Sequence, residues 1–114
     1  MAGSTIKKGS GRYPWPIEKE FRAATGDYMV VSETKKRSKL YWQYLSEYLA
    51  KNNIACRVYY DNRYYYIDLL GSHVKIRFVS ERQFFDASTG YHGWVVTELQ
   101  VEQWLNAAEV GNEE

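Results

Sequence analysis

Apolar and polar residues alternate most regularly between Arg57 and Ser80, and the alternation predicts an antiparallel three-stranded meander over about 56–79. Asp61-Asn62 and Gly71-Ser72 suit two-residue hairpin turns. Asp and Asn tolerate the left-handed angles of a type I′ turn, and a leading Gly favours type II′. The first turn sets Tyr60 opposite Arg63, Tyr59 opposite Tyr64, Val58 opposite Tyr65 and Arg57 opposite Tyr66. The second sets Leu69 opposite Val74, Asp68 opposite Lys75, Ile67 opposite Ile76 and Tyr66 opposite Arg77. Cross-strand partners share a face. Val58, Tyr65, Ile67, Leu69, Val74, Ile76 and Phe78 therefore form a core face. The opposite face carries Arg57, Tyr59, Tyr64, Tyr66, Asp68, His73, Lys75 and Arg77, polar and aromatic with a basic bias.

Other elements follow from the same patterning. Asp27–Ser32 alternates as a strand, with Tyr28 and Val30 on one side and Met29 and Val31 on the other. A helix is predicted over about 34–52, capped by Ser32 or Thr34, with Tyr41, Leu45, Tyr48 and Leu49 on one stripe widened by Trp42 and Tyr44. Asn52-Asn53 offers it a left-handed end. Glu81–Phe85 suits a helical turn, Asp86–Gly93 a loop hinged at Gly90 and Gly93, and Val95-Val96 a short strand. A last helix is expected over about 97–109. Thr97 and Gln100 have capping-box spacing, Val101, Trp104, Leu105 and Ala108 form its stripe, and Gly111 ends it. The expected class is α+β, a two-layer sandwich with both helices on the Val58/Ile67/Ile76 face and the Tyr/Arg face open.

Length and composition bound the rest. A chain of 114 residues with 45% hydrophobic and 17% aromatic content suits one independently folded domain, expected over 17–110. Residues 1–16 read as a flexible basic arm that includes the stiff Tyr13-Pro14-Trp15-Pro16 segment, and 111–114 as an acidic tail. The lone Cys56 excludes an internal disulfide framework, and no apolar run approaches the ~20 residues that span a bilayer. No apolar segment follows Lys7 and Lys8, which argues against a signal peptide and for a cytoplasmic protein with no membrane partner. The net charge of +1 hides a gradient: residues 1–40 hold nine Lys/Arg against four acids, whereas 97–114 hold five glutamates and no basic residue. Such opposed patches bear on steering and partner choice rather than fold.

Catalytic patterns are sparse. His73 and His92 stand nineteen residues apart without a Cys or acid at ligand spacing, so neither metal nor cofactor is expected. Asp68 followed by Lys75 is similar to part of a metal-dependent endonuclease core. The carboxylate two positions before the lysine is replaced here by His73, and a cross-strand Asp68–Lys75 ion pair accounts for the two residues instead. His92 and Asp86, in and beside the glycine-bearing loop, are the residues on which an enzyme would be centred. The stronger candidate is the sheet face, where Arg57, Tyr66 and Arg77 are expected in one row, Tyr59 and Tyr64 in the next, and Lys75 beside them. Tyr and Arg dominate protein interfaces, and exposed aromatics with arginines also serve to stack bases and neutralise phosphates. A second candidate is Lys35-Lys36-Arg37, in the first helical turn, where cations oppose the helix dipole and an anionic partner would offset the cost.

Two resemblances add expectations. Helix 34–52, three strands and helix 97–109 follow the order of the double-stranded-RNA-binding fold, which the chain resembles in topology. That family places a lysine cluster at the start of its last helix; Thr97, Glu98 and Glu102 stand there instead, which argues against double-stranded RNA. The segment Ser72-His73-Val74-Lys75-Ile76-Arg77-Phe78-Val79-Ser80 resembles a strand of small phage and mobile-element proteins, departing from it at Glu81. With the small size and high Tyr/Trp content, it implies an accessory protein of anti-defence, anti-CRISPR-like type, acting on a host complex by occupying its surface.

The expected function is a non-enzymatic binding protein that inhibits or modulates a nucleic-acid-handling protein complex. Glutamates 98, 102, 109, 113 and 114 are available to imitate phosphates toward a basic groove. The alternative is a small module that binds DNA or RNA directly through the Tyr/Arg face and Lys35, Lys36 and Arg37, and a homodimer through the sheet edge stays open.

Overall fold

In the computed structural model, residues 27–112 are described. They form β1 (Tyr28–Ser32), α1 (Lys35–Lys51), β2 (Cys56–Tyr60), β3 (Tyr65–Leu69), β4 (Val74–Ser80), α2 (Glu81–Ser88), β5 (Trp94–Thr97) and α3 (Glu98–Asn112). The class is α+β, with a five-stranded mixed sheet in the order β2-β3-β4-β1-β5. Strands β2, β3 and β4 are mutually antiparallel, and β1 lies parallel to both β4 and β5. The basic arm, the Tyr13–Pro16 segment and the last two glutamates lie outside the described residues. The last helix continues past Gly111 rather than ending there.

Local chemistry sets the ends of α1. Thr34 is its N-cap, with Oγ1 accepting from the Arg37 amide at 3.2 Å. At the far end Asn52 Nδ2 donates to the Tyr48 carbonyl at 2.9 Å, and Asn53 takes a left-handed φ of 57° that turns the chain toward β2. Tyr41, Leu45 and Leu49 recur every fourth residue and are buried with Ile67, Ile76 and Phe78 of the sheet and Val101 and Trp104 of α3. Both long helices thus cover the expected core face.

The expected meander is present, with one register corrected. β3 and β4 pair as the sequence implies, Leu69 with Val74, Ile67 with Ile76 and Tyr66 with Arg77. The left-handed residue of their turn is His73, φ 60°, whose amide closes onto the Leu69 carbonyl at 2.8 Å, so the turn is wider than a Gly71-Ser72 type II′ connection. β2 and β3 are shifted by two residues: Val58 faces Ile67, Tyr59 faces Tyr66 and Tyr60 faces Tyr65. Asp61 explains the shift. Its Oδ1 accepts from the Arg63 and Tyr64 amides at 3.3 and 3.1 Å, while Asn62 takes φ 88°, and the loop absorbs Arg63 and Tyr64. A shift of two preserves side-chain parity, so every residue keeps its predicted face. Val58 lies on the core face but is 40% exposed, because β2 is an edge strand.

The two-layer expectation needs a larger correction. α2 is a full helix, capped reciprocally: Ser80 Oγ accepts from the Gln83 amide at 3.3 Å, and Gln83 Oε1 accepts from the Ser80 amide at 3.0 Å. It packs on the face opposite α1 and α3, where Ala87 is buried with Met29, Tyr64, Tyr66 and Val79, and Phe84 and Tyr91 close the margin. Gln83 Nε2 also donates to the Arg63 carbonyl at 2.7 Å, tying α2 to the β2–β3 loop. The Tyr/Arg face is therefore partly a second core.

Candidate binding surface: a cation–aromatic sheet face

Alternation along β2, β3 and β4 aims Arg57, Tyr59, Tyr66, Asp68, Lys75 and Arg77 to the α2 side. The actual registers change the rows. Tyr59, Tyr66 and Arg77 lie in line across three strands, and Arg57, Asp68 and Lys75 form the next line. Tyr59 and Tyr66 stack with centroids 4.9 Å apart and 17° between planes. Tyr64 lies in the loop and meets Tyr66 edge-on at 6.4 Å.

Cations fill the spaces between the rings. Arg57 lies 5.2 Å from the Tyr59 centroid, Lys75 lies 5.2 Å from that of Tyr66, and Arg63 lies 5.2 Å from that of Tyr64. Arg77 is the centre of the block, with Cζ 5.3 Å from the ring of Tyr64 and 5.6 Å from those of Tyr66 and Tyr91. Its Nη1 donates to the Ala87 carbonyl at 3.0 Å, and its buried Nε has no hydrogen-bond partner. Asp68 is in register with Lys75, yet its carboxylate accepts from Arg57 Nη2 at 3.2 Å and from the Tyr59 hydroxyl at 3.4 Å. A hydrogen bond with Tyr59 holds the Lys75 ammonium above its usual range. Burial pushes the Tyr66 hydroxyl up, and burial together with Asp27 pushes Tyr91 up to about 12.

Exposure divides the predicted site. Tyr64 and Tyr66 are buried and Arg77 is half-buried, so these residues hold the fold. Arg57 is exposed, Tyr59 and Lys75 are half-buried, and Arg63 is exposed beside them. The accessible part is a rim along β2 and its loop, not the whole face.

The Lys35-Lys36-Arg37 cluster is dispersed. Lys35 Nζ donates to the Tyr60 hydroxyl at 3.0 Å, a bond that raises the ammonium above its ordinary value. Lys36 is exposed, and Arg37 Nε donates to both oxygens of Glu98 at 2.9 and 3.0 Å. Glu102 accepts from the Tyr41 hydroxyl, whose pKa that hydrogen bond raises to about 12. Glu98 and Glu102 thus bind α1, which removes two of the five glutamates from the predicted phosphate imitation.

Asp86 and His92 are not joined into one site. Asp86 pairs with Arg63 at 3.3 Å, whereas His92 lines a cavity of about 390 Å³ with Asp27, Arg77 and Tyr91. Among the described residues no group of three His, Cys, Asp or Glu is placed to hold a metal, and no helix is long and apolar enough to cross a membrane.

Sequence reasoning missed Arg63 and Tyr91 as members of the block. The Ser80-Glu81-Arg82-Gln83 capping box, which fixes α2 and hence Tyr91, was the available signal. No protein-family model, curated protein or solved structure matches the chain.

Proposed function

We propose that the protein is a non-enzymatic binding protein that occupies a surface of a nucleic-acid-handling protein complex, in the manner of anti-defence accessory proteins, and docks through the rim of Arg57, Tyr59, Arg63 and Lys75. One observation carries this reading: accessible members of the rim, half-buried Tyr59 and exposed Arg63, are held by stacking on the buried Tyr66 and Tyr64. Side chains ordered before contact lose little rotamer freedom on binding, and Tyr and Arg are the residue types richest in interface hot spots. The phage-like segment is β4 itself, whose Val74, Ile76, Phe78 and Val79 are buried, so that likeness bears on the core rather than on the docking rim.

Direct nucleic-acid binding draws less from the geometry. Arg37, Arg57 and Arg63 each face a carboxylate, and Arg77 lies beneath tyrosine rings. The discriminating experiment is fluorescence anisotropy with single- and double-stranded DNA and RNA at low and physiological salt, beside affinity capture with wild type and an Arg57→Ala/Tyr59→Ala variant. Capture of a protein complex by wild type but not by the variant supports the reading. Salt-sensitive nucleic-acid binding lost in the variant would replace it with the alternative.

A further inference from the structure

The backbone of β2 gives its free edge a defined hydrogen-bond pattern. The Leu70 amide donates to the Ala55 carbonyl at 3.1 Å, and the Asp61 amide donates to the Tyr64 carbonyl at 3.3 Å. Hydrogen-bonded pairs recur at every second residue of an antiparallel ladder. Positions 55, 57, 59 and 61 therefore bond toward β3, and Cys56, Val58 and Tyr60 direct their amides and carbonyls outward from the sheet. Nothing in the described fold pairs with them, since β2 is the first strand in the sheet order. The strand carries no proline, and its one charged residue is Arg57, so it lacks most of the usual devices that blunt an edge.

The side chains carry a second signal. Val58 and Tyr60 are 40% and 45% exposed although they lie on the core face, and Val58 faces the fully buried Ile67. The helical layer packs on Ile67, Ile76 and Phe78 and leaves this margin partly open, with Lys35 of α1 reaching the Tyr60 hydroxyl.

We propose that a second copy of this chain covers the edge, with β2 pairing antiparallel to itself about a two-fold axis through Val58. The occupant follows from self-complementarity. With Val58 opposite the partner subunit's Val58, Cys56 falls opposite the partner subunit's Tyr60, and the outward groups of these residues meet as hydrogen-bonded pairs. Arg57 then falls opposite the partner subunit's Tyr59 in the closer, non-hydrogen-bonded spacing. Arg57 already lies 5.2 Å from its own Tyr59, so each guanidinium sits between two tyrosine rings and no like charges oppose one another along the strand. The axis stands perpendicular to the sheet. It joins the exposed Val58 and Tyr60 of the two copies on one side and makes their cation–aromatic rims continuous on the other.

The test is mass in solution by sedimentation equilibrium across a concentration series, starting from the 13.4 kDa chain. Wild type is expected to reach twice the chain mass. Val58→Pro removes an outward amide that β3 does not use, so it is expected to return the single-chain mass with an unchanged circular-dichroism spectrum. As a check on the native backbone, Val58→Cys in a Cys56→Ser background is expected to give a covalent dimer on mild oxidation. Hydrogen-bonded partners lie about 5.5 Å apart at Cα, within the range a disulfide spans. A single-chain mass for wild type at every concentration overturns the proposal, as does a dimer that survives Val58→Pro and fails to cross-link at residue 58. Neither result depends on capture of a partner complex.

Discussion

Arg37 and Glu98 join the first turn of α1 to the start of α3, the guanidinium Nε lying 2.9 and 3.0 Å from the two carboxylate oxygens. Glu98 of the acidic segment and Arg37 of the basic helix start, separate features in the sequence, are paired in the fold. Arg37 keeps 43% of its side-chain surface and Glu98 keeps 18%, so solvent screens the pair. Glu98→Gln is expected to lower the unfolding midpoint slightly, an effect that shrinks as salt rises. Urea unfolding of both proteins at low and high salt checks this, and a salt-independent difference would locate the effect elsewhere.

Arg77 is expected to be structural. Arg77→Ala removes three ring contacts of about 0.5–1 kcal/mol each and a hydrogen bond of about 1 kcal/mol to the Ala87 carbonyl. A loss of about 2.5–4 kcal/mol, with faster amide exchange over residues 89–93, is the predicted result. Arg77→Lys retains the charge without the planar stacking and should fall between the two. If Arg77→Ala unfolds at the wild-type denaturant concentration, the guanidinium does not hold α2 to the sheet.

Gly93 sits where a side chain has no room. A Cβ there would lie 2.3 Å from the Asp27 carbonyl oxygen and 2.4 Å from the Tyr91 hydroxyl. The Tyr91 ring can rotate away, but the Asp27 carbonyl is fixed because it accepts the Trp94 amide at 2.7 Å. Gly93→Ala should cost about 2–3 kcal/mol, measurable by thermal or urea unfolding, whereas Gly71→Ala, with no atom within 4 Å of the added carbon, should be nearly neutral.

Alkaline pH should unfold the protein through particular tyrosines. Tyr41 and Tyr91 are each raised from 10.0 to about 12 in the fold. Both hydroxyls hold their protons more tightly folded than unfolded, so their contribution is complete below about pH 10 and is lost as pH rises toward 12. Tyrosinate absorbance should show part of the tyrosine population titrating late, together with unfolding. Tyr41→Phe should flatten the alkaline limb of the stability profile, and an unaltered limb would remove Tyr41 from the account.

Local sequence signals exposed some layers of this fold and hid others. The parity of β2, β3 and β4 followed from alternation alone, and the β3–β4 register followed from the short turn after Leu69. The β2–β3 register did not, because the Asp61 carboxylate competes for the amides of Arg63 and Tyr64 and lengthens the loop. The place of β1 between β4 and β5 had no local signature, since parallel neighbours far apart in sequence share no turn. The Tyr/Arg face was found at the right residues, but its depth was not. Tyr66 is buried and Arg77 half-buried on the side covered by α2, a stretch whose sequence suggested only a helical turn over Glu81–Phe85.

The position of β1 also constrains the order in which the molecule can assemble. Among the described residues, the first strand in chain order is an interior one, and its two neighbours, β4 and β5, are the last two in that order. Until Thr97 has emerged, Met29 and Val30, both fully buried in the finished sheet, lack one flank of their pairing. The meander and α1 can form earlier from nearer contacts, so β1 is expected to insert late, as the step that closes the sheet. A nascent chain stopped before Trp94 should therefore depend on chaperones in a way the completed chain does not.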